Sequence, residues 1–316
     1  MTTLLVTHDS CLDHDTGPNH PERADRLRSV IAALDRPAFK PLLRATAPAA
    51  TVEHMARAHP RAFVERVMAM MPDRGLRGID ADTVVSPGSA EAVPRAAGAV
   101  VHAVDLVAGG KADNAFCAVR PPGHHAESNR AMGFCVVNNA AIGAYHARAA
   151  HGLNRVAVVD FDVHHGNGTQ DIFWDDADAF YASTHQYPLY PGTGSAEETG
   201  AHGNVVNVPL RPGSRGDAFR SGMTERVLPA LTAFKPDIVI ISAGFDAHKD
   251  DPLANLGFVE DDYAWATAQL MDVAKSVAGG RVVSLLEGGY NLDALADSVT
   301  AHVETLMNRA GNVSKG

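Results

Sequence analysis

The segment Val156-Ala-Val-Val-Asp-Phe-Asp-Val-His-His-Gly-Asn-Gly168 runs from an apolar stretch into a cluster of polar residues. Its β-branched beginning predicts a buried strand over Val156–Phe161. Side chains alternate between the two faces of a strand, so Asp160, Asp162 and His164 share one face. Acids at a strand end commonly cap a helix or pair with an arginine. Three alternating ligand-type side chains, followed by two glycines that allow a tight turn, instead favour a metal site.

Three further apolar strands alternate with longer helical patterns along the chain. The predicted strands are Ala115–Val119, Val156–Phe161, Ile238–Ser242 and Val282–Leu286, and the predicted helices are Ser89–Val107, Asn138–Ala150, Asp217–Ala233, Glu260–Val277 and Leu292–Asn308. Continuous apolar strands separated by helices are typical of an α/β fold, with a central parallel sheet and helices on both faces. No repeat or linker divides the sequence, so we expect a single domain over residues 1–316.

Parallel strands bring their carboxyl ends to one edge of the sheet, where α/β proteins build their sites. The other three predicted strands run into polar segments there, namely Arg120-Pro-Pro-Gly-His-His125, Ser242-Ala-Gly-Phe-Asp246 and Glu287-Gly-Gly-Tyr290. Asp162, His164 and Asp246 can supply three protein ligands and leave one coordination position open. A catalytic zinc needs such a position in order to bind and acidify water. Asp160 would then orient a histidine or bind a structural cation.

Two other features at this edge suggest catalysis. His124 and His125 follow a rigid Pro-Pro-Gly turn; adjacent histidines are often only a surface pair, but beside an activated water they can serve as general base and acid. Tyr290 follows two glycines, and although such a tyrosine most often packs in the core, the glycines can project its phenol into a cleft. A phenol directed at a carbonyl stabilises an oxyanion. Together these groups predict metal-assisted hydrolysis of an amide or ester.

The overall composition is that of a soluble globular protein. The chain has 316 residues, of which 46% are hydrophobic, and its 27 basic and 37 acidic residues give a net charge of −10. This charge argues against nucleic-acid binding through a general basic field. Cys11, Cys117 and Cys135 form no CxxC pair, the N-terminus has no basic signal-peptide region, and no apolar run reaches the roughly 18 residues of a membrane helix. We therefore expect a cytoplasmic protein with no nucleic-acid or membrane partner.

Eight motifs are spread over nearly the whole chain, namely His20-Pro-Glu-Arg23, Arg120-Pro-Pro-Gly-His-His-Ala126, Gly133-Phe-Cys-Val-Val-Asn-Asn139, Asp160-Phe-Asp-Val-His-His-Gly-Asn-Gly-Thr169, Tyr190-Pro-Gly-Thr-Gly194, Asn207-Val-Pro209, Ser242-Ala-Gly-Phe-Asp246 and Glu287-Gly-Gly-Tyr290. Through these motifs the chain resembles the zinc-dependent histone deacetylase family, including bacterial histone deacetylase-like amidohydrolases and acetylpolyamine amidohydrolases. The resemblance implies the arginase/deacetylase α/β fold and hydrolysis of acylated amines.

The resemblance also implies residue roles. The implied ligands of one zinc ion are Asp162, His164 and Asp246, and the implied catalytic residues are His124, His125, Tyr290, Asp160 and Asn167. His125 would be the general base, Tyr290 would polarise the acyl carbonyl, and Asp160 would support His124. Some branches of the family have a second aspartate where this chain has Asn167. This places the chain on the class II side and leaves His125 without a carboxylate partner. Aspartate-rich ligation could also accept iron or cobalt.

Substrate and potassium sites follow from the same resemblance. The implied lining of an acyl-lysine tunnel is Gly133, Phe134 and Tyr190, with Leu253 and Asp82 at its mouth; the implied potassium site, to which main-chain carbonyls contribute, is Asp160, Asp162, His164, Ser183 and Thr184. Leu253 stands where some polyamine-selective members have a glutamate, and a leucine packs on lysine methylenes but cannot stabilise a second cation. Asp82 would accept the substrate's backbone amide. Alternatively, Leu253 covers core and Asp82 is a solvated loop acid.

Several alternatives remain beside a lysine deacylase. A dinuclear manganese hydrolase of the arginase type shares the fold, but its extra carboxylates would fall at Gly166 and His248, which favours a mononuclear site. A catalytically weak acyl-lysine-binding module is disfavoured by Tyr290, since poor deacetylases of the family carry histidine there. Acetylpolyamines and other small amides or esters stay open as substrates. No sequence pattern marks a subunit interface.

Overall fold

A single eight-stranded parallel sheet forms the centre of the computed structural model, which describes residues 2–309. The strands are β1 (Thr3–Thr7), β2 (Leu43–Thr46), β3 (Arg77–Gly78), β4 (Val84–Val85), β5 (Asn114–Cys117), β6 (Val156–Asp160), β7 (Ala179–Gln186), β8 (Val205–Leu210), β9 (Ile238–Ala243) and β10 (Val282–Leu286). The sheet has the order β2-β1-β5-β10-β9-β6-β7-β8, and β3 and β4 form a separate antiparallel pair.

Helices cover both faces of this sheet. They are α1 (Ala24–Leu34), α2 (Val52–Met55), α3 (Arg61–Met68), α4 (Ser89–Ala108), α5 (Asn139–His151), α6 (Asn167–Phe173), α7 (Gly216–Gly222), α8 (Leu228–Phe234), α9 (Glu260–Val277) and α10 (Leu292–Arg309), with 3-10 turns at Asp9–Leu12 and Pro37–Phe39. Helices α4 and α5 pack together against the central strands, whereas α1, α9 and α10 form a second group against the same strands. The predicted α/β class with a central parallel sheet is confirmed.

The four strands expected from the sequence are the four central ones, β5, β10, β9 and β6. Every residue in them is buried, which explains their continuous apolar sequences. The outer strands β1, β2, β7 and β8 were not expected. Most of β2 is exposed, β8 contains a proline at the sheet edge, and β7 ends in buried polar residues, so none of these three shows an uninterrupted apolar run.

Four of the five predicted helices agree with the structure to within one residue at each end. The exception is the continuous helix expected over Asp217–Ala233, which is interrupted by a π-helical turn at Met223–Val227 between α7 and α8. Pro229 lies in the first turn of α8. A proline cannot donate to the carbonyl four residues earlier and clashes with it, so the wider turn lets the helix continue past this position.

Close packing between α4 and α5 depends on a glycine. A Cβ atom at Gly143 of α5 would lie 2.3 Å from Cγ1 of Val100 on α4, so any larger residue would push the two helices apart. Within residues 2–309, no helix combines the length and the apolar composition required to cross a bilayer.

Candidate active site

The carboxyl ends of β6 and β9 bring Asp162, His164 and Asp246 together. Nδ1 of His164 lies 3.2 Å from Oδ1 of Asp162 and 3.1 Å from Oδ2 of Asp246, and all three residues are buried. The amide of Val163 donates to Oδ1 of Asp246 (2.8 Å), and the amide of Gly288 donates to Oδ2 of Asp162 (2.8 Å). The backbone therefore fixes both carboxylates, while the imidazole nitrogen faces them.

Burial and mutual repulsion disfavour negative charge on these two carboxylates. Burial and the neighbouring Asp162 raise the pKa of Asp246 to about 7. Burial lowers the pKa of His164, but its hydrogen bonds to Asp162 and Asp246 outweigh this effect and raise the pKa to about 10. Two buried carboxylates beside one imidazole need a positive charge, which either a proton or a metal ion can provide. Nitrogen and carboxylate oxygens are ligands that zinc accepts.

Two glycines leave the space that these carboxylates occupy. A Cβ at Gly244 would lie 2.0 Å from Oδ2 of Asp162, and a Cβ at Gly288 would lie 2.1 Å from Oδ2 of Asp246. Glycine is therefore required at both positions for steric reasons. From the sequence, Gly288 was interpreted only as a means of directing Tyr290, and Gly244 was given no role.

The two adjacent histidines have different partners. Nδ1–H of His124 donates to Oδ2 of Asp160 (3.0 Å), whereas Nδ1–H of His125 donates to Oδ1 of Asn167 (2.8 Å). The amide orientation of Asn167 is set because its Nδ2 donates to Oε1 of Glu127 (2.8 Å). His125 thus keeps a lone pair on Nε2 and has no carboxylate partner, as predicted. Glu127 was not identified from the sequence.

These partners separate the pKa values of the pair. Burial lowers the pKa of His124, but the charges of Asp162 and Asp160 outweigh this effect and raise it to about 10. Burial lowers the pKa of His125 well below its usual range, and the neighbouring His124 and His164 lower it further. Their ring centroids are only 4.0 Å apart, so one charged imidazole disfavours charge on the other. Burial therefore favours a neutral His125, whereas Asp162 and Asp160 favour the charged form of His124.

Tyr290 is held above a buried arginine that the sequence analysis did not identify. Its ring centroid lies 4.9 Å from the guanidinium carbon of Arg26. Arg26 donates through Nε to the carbonyl of Gly289 and through Nη2 to the carbonyl of Glu287, both at 2.5 Å. Glu22 accepts from Arg26 at 2.9 Å. The only sequence signal for this support was Glu22 itself, inside the motif His20-Pro-Glu-Arg23.

The residues expected to line a tunnel lie around the histidine pair. The ring of Tyr190 is 5.1 Å from that of His125, and the ring of Phe134 is 6.0 Å from that of Tyr290. Gly133 has φ +59°, and a Cβ there would lie 2.5 Å from the His125 ring. Asp82 accepts from the amide of Gly133 at 3.1 Å. The structure therefore brings Asp82, Gly133, Phe134 and Tyr190 close to His125 and Tyr290.

Leu253, which was expected at the mouth of a tunnel, lies partly at the surface. Leu253 is 36% exposed, so it does not serve only to cover core.

Two of the residues expected at a potassium site are on neighbouring strands, since Ser183 of β7 pairs in register with Asp160 of β6. The hydroxyl of Ser183 contacts Nδ1 of His185 at 2.8 Å, while the buried Thr184 hydroxyl has no hydrogen-bond partner among the described residues. The potassium assignment stays a prediction.

Gly166 and His248 are the positions where a dinuclear site would need its additional carboxylates. A Cβ at Gly166 would lie 2.3 Å from Oδ2 of Asp160, so a carboxylate side chain has no room there. His248 instead contacts Oε1 of Glu260 at 3.2 Å. Neither position offers a carboxylate for a second metal ion.

A second cluster with metal-ligand side chains lies between α4 and α5. Oδ1 of Asp105 is 2.6 Å from Nε2 of His146 and 2.7 Å from Nε2 of His151. Arg57 contacts Nδ1 of His146. Because a guanidinium can only donate, His146 must carry its proton on Nε2, which is therefore unavailable to a metal ion. Of the two such groups among residues 2–309, the one formed by Asp162, His164 and Asp246 fits a metal better.

Comparisons with known proteins agree with this geometry. The histone deacetylase domain profile matches residues 20–306. The chain is 39% identical to a histone deacetylase-like amidohydrolase of Pseudomonas aeruginosa, covering 92% of this chain and 82% of that protein. It is 40% identical to the chloroplastic histone deacetylase 14 of Arabidopsis thaliana, covering 96% of this chain and 76% of that protein.

The solved structure of the HDA15 HD domain superposes with a TM-score of 0.92 at 37% identity, covering 98% of this chain and 89% of that one. The predicted arginase/deacetylase fold is thereby confirmed. The match extends over the sheet, the helices and the polar edge where the buried triad lies. The chain belongs to the histone deacetylase family.

Proposed function

We propose that this protein is a zinc-dependent hydrolase that removes acetyl or other acyl groups from lysine or similar amines. The observation that carries the proposal is the buried group of Asp162, His164 and Asp246 beside a histidine pair, of which one member contacts a carboxylate and the other a neutral amide. Such a pair, next to a three-ligand metal site, supplies both a base and an acid. The proposal includes a single catalytic domain over residues 1–316 and a cytoplasmic location.

The metal site would be formed by Nδ1 of His164 and by carboxylate oxygens of Asp162 and Asp246. The two buried carboxylates repel each other, which helps to raise the pKa of Asp246 to about 7, and a divalent cation between them would offset this repulsion. The chemistry that zinc supplies when bound is Lewis-acid polarisation of the acyl carbonyl and a lower pKa for water. A structural potassium ion near Asp160 and Ser183 is part of the same proposal.

Side chains of the protein would carry out the proton transfers and stabilise the charge on the acyl oxygen. Nε2 of His125 accepts a proton from the attacking water, because its Nδ1–H is already committed to Asn167. The phenol of Tyr290 donates to the acyl oxygen as negative charge develops there. The carbon–nitrogen bond then breaks, and the protonated histidine pair returns a proton to the leaving amine. The products are a free amine and a carboxylic acid.

The tunnel residues favour an acyl-lysine substrate. The aromatic rings of Phe134 and Tyr190 and the side chain of Leu253 are apolar surfaces on which lysine methylenes can pack. Asp82 would accept the substrate's backbone amide. One observation favours acylated polyamines as a second candidate. Asp80 and Asp82 lie side by side, since the amide of Asp82 donates to Oδ1 of Asp80 at 3.1 Å, and such a carboxylate pair attracts an ammonium group.

A comparison of three substrates tests the proposal. The zinc-loaded protein is assayed on an acetyl-lysine peptide, on acetylputrescine and on a lysine peptide with a longer acyl chain. We expect the highest kcat/KM with a lysine peptide, loss of activity in His125→Ala, and normal activity in the control His202→Ala, which alters an exposed histidine. A higher value for acetylputrescine would favour the polyamine candidate. Peptide binding without turnover would identify an acyl-lysine-binding module instead.

A further inference from the structure

We propose that Asp251 is a positioning residue that connects the loop carrying Leu253 to the loop carrying Tyr290. The role given to Asp251 depends on the proposed function, because it acts through the phenol of Tyr290. The carboxylate of Asp251 is buried and accepts hydrogen bonds from the backbone of both loops. Asp251 therefore holds the catalytic phenol in place relative to the substrate-facing leucine.

The two oxygens of this carboxylate have separate partners. Oδ2 accepts from the amide of Tyr290 at 2.7 Å, and Oδ1 accepts from the amide of Leu253 at 3.0 Å. A second link lies beside the first, since Nδ2 of Asn291 donates to the carbonyl of Asp250 at 3.0 Å. Both links join the segment after β9 to the segment after β10. Charged acceptors form stronger hydrogen bonds than neutral ones, so the carboxylate provides the stronger of these links.

The loop that carries Tyr290 needs such restraint. Gly288 and Gly289 precede the tyrosine, and Gly289 has φ +121°. Because glycine adopts positive and negative φ about equally readily, these two residues do not by themselves fix the direction of the loop. Arg26 holds the carbonyl of Gly289 on one side of the tyrosine. Asp251 holds the amide of Tyr290 itself. Two hydrogen bonds from outside this loop thus restrain the backbone that carries the phenol.

The substitution Asp251→Asn separates this role from a general role in stability. Asparagine has nearly the same shape, but one of its two terminal atoms is a donor, so it can no longer accept from both amides. We expect kcat to fall about tenfold, as for the loss of one charge-assisted hydrogen bond that orients a catalytic group, while KM changes less than about twofold. The matched control is Asp250→Asn, whose side chain is 52% exposed and whose activity should be normal.

A double-mutant cycle with Tyr290→Phe tests whether Asp251 acts through the phenol. If it does, Asp251→Asn should change kcat by less than about twofold when the hydroxyl is already absent. An equal fall in both backgrounds would overturn the proposal, because the effect would then not pass through the tyrosine. Should Asp251→Asn fail to fold, Asp251→Glu replaces it in the same cycle, since it keeps the charge and displaces the oxygens.

Hydrogen exchange tests the connection without substrate. In the metal-loaded protein, peptides that contain the amides of Leu253 and Tyr290 should exchange slowly, and both should exchange faster in Asp251→Asn but not in Asp250→Asn. Unchanged exchange at both amides would overturn the proposal whatever the activity. Absence of turnover in the wild type, with exchange responding as expected, would instead count against the proposed function and leave the connection supported.

Discussion

At the scale of single residues, hydrogen-bond partners decide which histidine can act as a base. Asp160 favours the charged form of His124, whereas the neutral amide of Asn167 gives His125 no such stabilisation. A neutral imidazole with a free Nε2 can accept a proton near neutral pH. Burial, together with the neighbouring imidazole whose ring centroid is 4.0 Å away, disfavours the charged form of His125. Chemically identical side chains at consecutive positions therefore have different proton affinities, as the proposed function requires.

The first prediction concerns the phenol. In Tyr290→Phe the ring and its contact with Arg26 remain, but the donor to the developing oxyanion is lost. We expect kcat to fall roughly a hundredfold or more, as for the removal of other oxyanion donors. Steady-state kinetics and metal analysis on the same preparation provide the test. Full activity with the metal retained would show that the role assigned to Tyr290 is wrong.

The second prediction concerns the metal. Protein purified without added metal should contain about one transition-metal ion per chain, because within residues 2–309 only the group of Asp162, His164 and Asp246 is free of a competing guanidinium. Asp246→Ala should remove most of it by elemental analysis. Asp105→Ala is the matched control, since it alters the other cluster of histidines and acid. Two equivalents in the wild type, or a loss in the control variant, would contradict the assignment.

At the scale of elements, the loops after β9 and β10 bring Leu253 and Tyr290 close together, since Asp251 contacts the amides of both. The third prediction concerns Leu253→Glu, which introduces a carboxylate at a position where the leucine is 36% exposed. The ratio of kcat/KM for acetylputrescine to that for an acetyl-lysine peptide should rise, because the new charge attracts the distal ammonium. Leu253→Gln controls for shape and polarity. An unchanged ratio in Leu253→Glu would place Leu253 outside the substrate path.

The contact between α4 and α5 gives the fourth prediction. Gly143→Ala introduces a Cβ 2.3 Å from Cγ1 of Val100 and should destabilise the protein by about 1–3 kcal/mol through overpacking. Val100→Ala combined with Gly143→Ala should recover part of that loss, because it removes the clashing methyl group. Urea unfolding of the wild type and of these two variants measures the effect. Equal stabilities of Gly143→Ala and the wild type would mean that the helices can separate at no cost.

The elements also explain how far the sequence could predict this structure. The central strands were predictable because each is buried on both faces and is therefore apolar throughout. Strand β7 was not predictable, because its buried carboxyl-terminal end is polar and the partners of these polar residues come from other parts of the chain. The same holds for Arg26 and Asp251, which bind backbone groups of a segment distant in sequence. The segment after Asp160 predicted the ligand types because these residues are close in sequence, although β6 ends at Asp160 and the expected strand alternation does not extend to Asp162 and His164. The supporting contacts come from distant segments and could not be predicted.

At the scale of the whole molecule, stability should depend on several buried histidines that stay neutral. Burial lowers the pKa of His14, His59 and His185 to about 4, and that of His302 to about 3. An unfolded histidine has a pKa of about 6.5, so between these values the unfolded chain binds more protons than the folded one. The stabilising contribution of each is complete above about pH 6.5 and is lost as the pH falls toward the folded pKa.

The fifth prediction isolates one of these groups. Nδ1–H of His302 donates to the hydroxyl of Thr267, which itself donates to the carbonyl of Tyr263, and Nε2 accepts from Ser284 at 2.8 Å. Its ring packs against aromatic side chains, with centroid distances of 5.5 Å to Phe116 and 5.8 Å to Phe245. These contacts favour the neutral imidazole.

Between about pH 7 and about pH 5, the free energy of unfolding should therefore fall more in the wild type than in His302→Gln, by about 1–2 kcal/mol. Buried carboxyls with raised pKa, such as those of Asp246 and Glu287, contribute the opposite slope. Their contributions are present in both proteins and cancel in the comparison. Urea unfolding at the two pH values measures the difference, and parallel pH dependences would show that His302 does not titrate as its burial requires.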